Sequence, residues 1–204
     1  LKMWNLDGVT TNPRHVQASG KPFLTVIREI AALFAGTDKP ISVEVNPHHT
    51  DYEKMVAEAE VLAAMSPNFV IKLPAIEAGY KAVAVLKEKG IRSNLTLVFS
   101  AAQALHAMRM GAYFVSPFIG WKEANGEEVQ SFIEEILAIR DNYGFSSEII
   151  VAAVRNGRQI ADAAVMGADI VTAGLAVYKD AFDHPYTGVG LQKFQEFWDQ
   201  TPYK

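Results

Sequence analysis

A parallel-sheet α/β fold is what this sequence predicts, and two observations carry the prediction. Short runs rich in β-branched residues recur at 8–11, 41–45, 69–73, 94–99, 113–116, 149–154 and 169–172, and helical segments lie between them. Strand and helix in strict alternation imply crossover connections, hence parallel strands. A sheet wound this way either closes into a barrel or stays open and doubly wound. Neither a Gly-x-Gly-x-x-Gly turn nor a Walker-type loop is present to favour the open form. The 204 residues, half of them hydrophobic, are enough for one full core, so a single domain over 1–204 is expected.

The elements between the strands have readable ends. Thr50-Asp-Tyr-Glu53 has the form of a capping box and opens a helix that runs to about Met65. Ser100 caps a helix that stops at Gly111, and Gly90 and Gly167 are further C-terminal stops. The acidic run at 123–134 suits the solvated start of a helix, and a helical segment around 175–200 closes the chain. Seven strands can be counted where a closed (β/α) barrel has eight, and the opening residues resemble the tail of a helix. The expectation is therefore a barrel whose first strand is absent from this chain, with a gap between two unpaired edges.

Composition narrows the function. A formal charge of −4 without a Lys/Arg run gives no electrostatic footprint for nucleic acid. No apolar stretch reaches spanning length and the start lacks signal-peptide anatomy, so a cytoplasmic protein with no membrane partner is expected. Zero cysteines exclude disulfides, thiolate metal sites and cysteine nucleophiles. His48 and His49 stand together after a strand without ligand-spaced partners, so neither metal nor cofactor is expected. Met55, Met65, Met108, Met110 and the aromatics of 194–198 fall at helical spacings suited to core packing or to contact with further copies of the chain.

The chemistry-bearing residue is a lysine inside an apolar strand, Phe69-Val-Ile-Lys72-Leu-Pro74. Burial disfavours an ammonium, and a neutral amine can attack a carbonyl and form a Schiff base. The bland alternatives are a snorkelling or an ion-paired lysine. Residues two apart on a strand share a face, which sets Thr10 with Asn12, Ser42 with Glu44 and Asn46, Asn94 with Thr96, and Ser116 around the same barrel interior as Lys72. So many buried polar groups are costly unless they bond one another, water or a ligand. Amine, carboxylate, amides and hydroxyls together suit imine chemistry on a polyol.

Four motifs in order, Val9-Thr-Thr-Asn-Pro13, Val70-Ile-Lys-Leu-Pro74, Asn94-Leu-Thr-Leu-Val-Phe-Ser100 and Ser116-Pro-Phe-Ile-Gly120, resemble the transaldolase and fructose-6-phosphate aldolase family over nearly the whole chain. The resemblance implies a (β/α)8 TIM barrel of the class I aldolase type. It implies that Lys72 forms the imine with a ketose, that Glu44 and Thr96 hold a proton-shuttling water, that Asn12, Asn94 and Ser116 contact the dihydroxyacetone part, and that Phe118 lines the pocket. Glu44 leans toward a transaldolase, since the family's free aldolases often carry glutamine there.

Two features depart from the family pattern. Its first-strand aspartate, used in carbon–carbon cleavage, has no counterpart in these residues. Its phosphate site usually has an arginine where Trp121 stands and Ser-x-Arg where Ala153-Val-Arg155 stands. Losing a cation and a hydroxyl suits a monoanionic sulfonate better than a phosphate dianion. Trp121, Lys122, Arg155, Asn156, Gly157 and Arg158 could complete such a pocket, and Asn12-Pro-Arg14-His15 with Gly120-Trp-Lys122 and Val154-Arg-Asn-Gly157 is similar to the 6-deoxy-6-sulfofructose transaldolases of sulfoquinovose breakdown. The implied activity is transfer of a dihydroxyacetone unit from the sulfosugar to an aldehyde such as glyceraldehyde 3-phosphate, releasing sulfolactaldehyde, in a homo-oligomer. A phosphosugar bound through Arg155, an uncharged sugar, and a non-catalytic sugar-binding barrel are the alternatives.

Overall fold

The computed structural model describes residues 4–203. One or two helices follow every strand: β1 Val9–Thr10, α1 Pro13–Ala18, α2 Phe23–Phe34, β2 Ile41–Glu44, α3 Tyr52–Ala63, β3 Phe69–Pro74, α4 Glu77–Glu88, β4 Ser93–Val98, α5 Ala101–Met110, β5 Phe114–Pro117, α6 Ile119–Ala124, α7 Gln130–Tyr143, β6 Glu148–Val154, α8 Gly157–Met166, β7 Ile170–Ala173, α9 Leu175–Asp180 and α10 Pro185–Asp199. The strands form one parallel sheet in chain order, curled into a nearly closed barrel of the (β/α)8 type. The expected first strand lies outside the described residues, and no backbone ladder joins β1 to β7 among them. The two edges meet through side chains instead, with Thr10 Oγ1 and Thr172 Oγ1 2.8 Å apart, and Trp4 packs on Tyr178 and Phe182 of the α9 region.

Strand alternation divides the apolar residues into two cores. Outward-facing Ile41, Val43, Ile71, Leu73, Leu95 and Val115 are buried against the helices in one large cluster. Inward-facing Val70, Phe114, Ile150 and Ile170 make a small separate plug inside the barrel. The rest of the interior is left to polar side chains, so the plug forms the floor on which a site stands.

Two strands break their own alternation. The β4–β5 ladder slips between Leu95 and Val98, and the β6–β7 ladder slips between Val151 and Val154. Leu97 and Ala153 sit at the slips with φ of 60°, the left-handed region that costs a non-glycine residue about 1 kcal/mol or more. Each bulge absorbs one residue, so Val98 and Val154 turn out into the helix-facing core while Phe99 and Arg155 follow at the barrel mouth.

The helix ends hold two surprises. Ser100 closes a full capping box with Gln103, but α3 is capped one residue later than expected, by Asp51, whose Oδ1 accepts from Lys54 N at 2.8 Å. The backbone and side-chain hydrogen bonds from Lys54 hold the Asp51 carboxyl below its ordinary pKa. The acidic run does not open one helix: it spans the end of α6, a turn and the start of α7, where Glu128 accepts from Ser131 N at 3.1 Å. Among the described residues no helix is long and apolar enough to cross a membrane.

Gly79 shows how tightly α4 is set against the site-bearing strand. A Cβ there would fall 1.9 Å from the carbonyl oxygen of Pro74, two residues beyond Lys72. Gly79→Ala is expected to lower stability by about 1–3 kcal/mol in chemical denaturation despite alanine's better helix propensity. A stability at or above that of the parent would contradict this reading.

Candidate active site

Parallel register sets the central side chains abreast. Glu44 of β2 pairs with Lys72 of β3, and Lys72 pairs with Asn94 of β4, so three inward side chains lie on one hydrogen-bonded row at neighbouring-strand spacing. Lys72 is 5 % exposed. Its Nζ donates to Glu44 Oε2 at 3.1 Å and to the carbonyl of Thr11 at 3.1 Å. The snorkelling alternative is therefore out, while the ion-paired one matches what is seen: the amine stays in the barrel paired with one mostly buried carboxylate.

The amides and hydroxyls form a chain around it. Ser116 Oγ donates to Asn94 Oδ1 at 2.7 Å, and Asn94 Nδ2 donates to Ser42 Oγ at 3.0 Å. Thr11 Oγ1 donates to the carbonyl of Ser42 at 2.8 Å, which tightens the turn that offers Thr11 O to Lys72. One group stands outside this network: Thr96 Oγ1 is buried and has no hydrogen-bond partner among the described residues. A buried hydroxyl without a bond is costly, so this one is suited to a group arriving from the mouth.

Side chains at the mouth are set by the loops after the strands. Asn12 caps α1, its Oδ1 accepting from His15 N at 2.9 Å, and with Thr11, Glu44 and Glu58 it lines a cleft of about 380 Å³ between the loops after β1 and β2. Glu58 holds the second loop, accepting from Asn46 N at 2.7 Å and pairing with His49 Nε2 at 3.1 Å. Across the mouth Trp121, half exposed, stacks on Phe99 with ring centroids 5.7 Å apart and meets Phe118 edge-on. Arg155 follows the β6 bulge. A Cβ on Gly120 would lie 3.0 Å from its Nε and 2.1 Å from the carbonyl oxygen of Ala153, so the absent side chain at Gly120 is what lets the guanidinium and β6 approach α6.

The sequence-expected anion pocket assembles in part. Trp121 and Arg155 sit by the same turn, and Asn156 is the N-cap of α8, accepting from Gln159 N at 2.9 Å. Gly157 packs under Ala181, where a Cβ would meet that residue's Cα at 3.0 Å. Lys122 turns away to Glu127 and lies over the Phe132 ring, its Nζ reaching Phe99 O at 3.4 Å. Arg158 is exposed and paired with Asp162 at 2.7 Å, and Arg14 is exposed on α1. Lys122 and Arg158 are thus each engaged by a carboxylate of their own. The sequence reading missed the Thr11 carbonyl and the two helix-start glutamines, Gln103 and Gln159. Both could have been found from their spacing, three residues after the N-cap residues Ser100 and Asn156.

The family model described as transaldolase/fructose-6-phosphate aldolase matches residues 1–201. Two proteins named 6-deoxy-6-sulfo-D-fructose transaldolase, from Priestia aryabhattai and Priestia megaterium, are each 53% identical over 199 residues, covering 97% of this chain and 88% of theirs. A probable transaldolase of Dictyoglomus turgidum is 44% identical over 202 residues, covering 98% of this chain and 92% of its own. Among solved structures, an IMP dehydrogenase/GMP reductase-like protein from Corynebacterium glutamicum aligns with a TM-score of 0.51 at 20% identity, over 74% of this chain and 43% of that one, a likeness of fold alone.

Proposed function

The chain belongs to the transaldolase/fructose-6-phosphate aldolase family, and we propose that it works there as a Schiff-base transaldolase whose donor is 6-deoxy-6-sulfo-D-fructose. The observation that carries the catalytic part is the buried Lys72 held between Glu44 and the Thr11 carbonyl. The donor is supported by the 53% identity to proteins of that name and by tryptophan and alanine at positions 121 and 153.

In this reading Lys72 Nζ passes a proton to Glu44 and attacks C2 of the open-chain ketose, and water leaves as the imine forms. The C4 hydroxyl gives its proton to a base, the part the family pattern gives to a first-strand aspartate, as C3–C4 breaks and its electron pair moves into the iminium, leaving an enamine on Lys72 and free sulfolactaldehyde. The enamine carbon then attacks the carbonyl carbon of glyceraldehyde 3-phosphate, the new alkoxide takes that proton back, and water hydrolyses the new imine to release fructose 6-phosphate and the free amine. Glu44 and Thr96 Oγ1 would hold the water that moves protons in the imine steps, which answers the unpartnered hydroxyl of Thr96. Asn94 and Ser116 would hold the hydroxyls of the three-carbon unit, with Asn12 and Phe118 at its edge. The sulfonate would lie toward Arg155 and Trp121.

A cytoplasmic homo-oligomer completes the reading. Phe194, Phe197 and Trp198 on α10 are all more than 60 % exposed, a face suited to another copy of the chain. The deciding experiment compares donors with glyceraldehyde 3-phosphate as acceptor. Sulfofructose is expected to exceed fructose 6-phosphate in kcat/KM by about tenfold or more. A preference for fructose 6-phosphate would replace this reading with an ordinary phosphosugar transaldolase, to which the retained Arg155 would lend itself.

A further inference from the structure

Strands β4 and β6 carry the same device. Residues 94–103 and 150–159 correspond position by position: Leu97 and Ala153 at the left-handed bulges, Val98 and Val154 turned outward, Ser100 and Asn156 as N-caps, Gln103 and Gln159 three residues on. In both, the glutamine oxygen accepts from the backbone just before the cap, Phe99 N at 2.8 Å and Arg155 N at 2.6 Å. The two strands flank β5. The device thus fixes Phe99 and Arg155 on either side of the start of α6, which carries Gly120 and Trp121.

The two glutamines differ in what else they bond. Gln103 Oε1 accepts a second bond from Ser100 N and so serves its own helix start. Gln159 is 6 % exposed, and its Nε2 donates to the carboxylate of Glu123 on α6, the helix that carries Trp121. One buried carboxamide therefore accepts from the residue that carries the guanidinium and donates to the helix that carries the indole. Only a side chain with both a donor and an acceptor can do this.

We propose that Gln159 is a positioning residue for the far end of the donor: it sets the separation of Arg155 from Trp121 and so tunes the binding of the anionic group on C6. The proposal rests on the reading that Arg155 meets that group, whether sulfonate or phosphate.

Gln159→Glu separates the two halves of the carboxamide. The new carboxylate still accepts from Arg155 N but no longer donates, and it opposes Glu123. Adding Glu123→Gln restores a donor on α6 that faces the new acceptor. The measurements are kcat and KM for sulfofructose and for fructose 6-phosphate, together with borohydride trapping of dihydroxyacetone, a neutral ketose that fills only the inner part of the site. Gln159→Glu should raise KM for the anionic donor about five- to twentyfold with kcat within about twofold, and the double variant should recover most of the loss. Dihydroxyacetone trapping should be the same in all three proteins. Equal losses for dihydroxyacetone and the anionic donors, or no recovery in the double variant, would make Gln159 a structural stay and overturn the proposal. Arg155→Ala is the reference: if it leaves KM for both anionic donors unchanged, the anion reading itself fails and the positioning role falls with it. Which donor the parent prefers bears on the sulfosugar assignment alone.

Discussion

Lys72→Met is expected to abolish donor cleavage, lowering kcat/KM by on the order of five decades, and to leave no adduct when ketose and borohydride are added together. Methionine keeps an unbranched side chain of similar length in a position that is 5 % exposed, so packing is largely retained while the nucleophile is lost. The substitution leaves Glu44 without its partner, which costs stability, so a melting curve belongs beside the assay. Among the described residues Lys72 is the one buried lysine: Lys21, Lys54 and Lys81 are about half or more exposed in surface ion pairs, and Lys122 is engaged by Glu127. A variant labelled by substrate and borohydride as strongly as the parent would move the imine to a different amine.

Glu44→Gln carries the second large effect. Glutamine keeps an oxygen able to accept from Lys72 Nζ, now 3.1 Å from Glu44, but it cannot take up a proton at neutral pH. The carboxylate's part in forming and hydrolysing the imine is then lost while the amine stays in position. A fall of about two to four decades in kcat with a smaller change in KM is the expected outcome, the range typical of a positioned acid–base group. Turnover at the parent's rate would remove Glu44 from the proton path and leave it the role of a counter-ion. The rate of dihydroxyacetone trapping separates the two roles, because a group needed only to hold the lysine would slow no proton transfer.

Much of this architecture was legible along the chain because strands on a barrel report themselves locally. All seven β-branched runs became strands, with ends shifted by no more than two residues, since each run is bounded by turn or cap residues and separated by a helix long enough to cross over. The gathering of Lys72, Glu44, Asn94 and Ser116 follows from the same regularity: parallel neighbours in register share a level, and period two shares a face. The cap of α3 slipped from Thr50 to Asp51 because both can accept a backbone hydrogen bond, and only the path of the preceding loop selects between them.

Local pattern had no hold on the bulges. Leu97 and Ala153 are not residues that advertise a left-handed backbone, and no glycine or proline lies on either bulged strand, yet the bulges decide that Phe99 and Arg155 reach the mouth. The cost of each strained residue is met by contacts distant in sequence, such as Phe118 N on Val98 O at 3.0 Å and the close approach of Ala153 to Gly120. The fate of the cations was equally non-local. Lys122, Arg155 and Arg158 look equivalent as neighbours of two motifs, but Glu127 and Asp162 lie within reach of the first and last and engage them, whereas Gly120 leaves open the space in which the Arg155 guanidinium lies. Strand order, the buried lysine and the polar side chains level with it were thus properties of composition and period, which act over a few residues. The shape of the barrel mouth around Arg155 and Trp121 was settled by contacts between strands and helices far apart in the chain, because a bulge, an ion pair and a missing Cβ have their effect only through what the fold brings up against them.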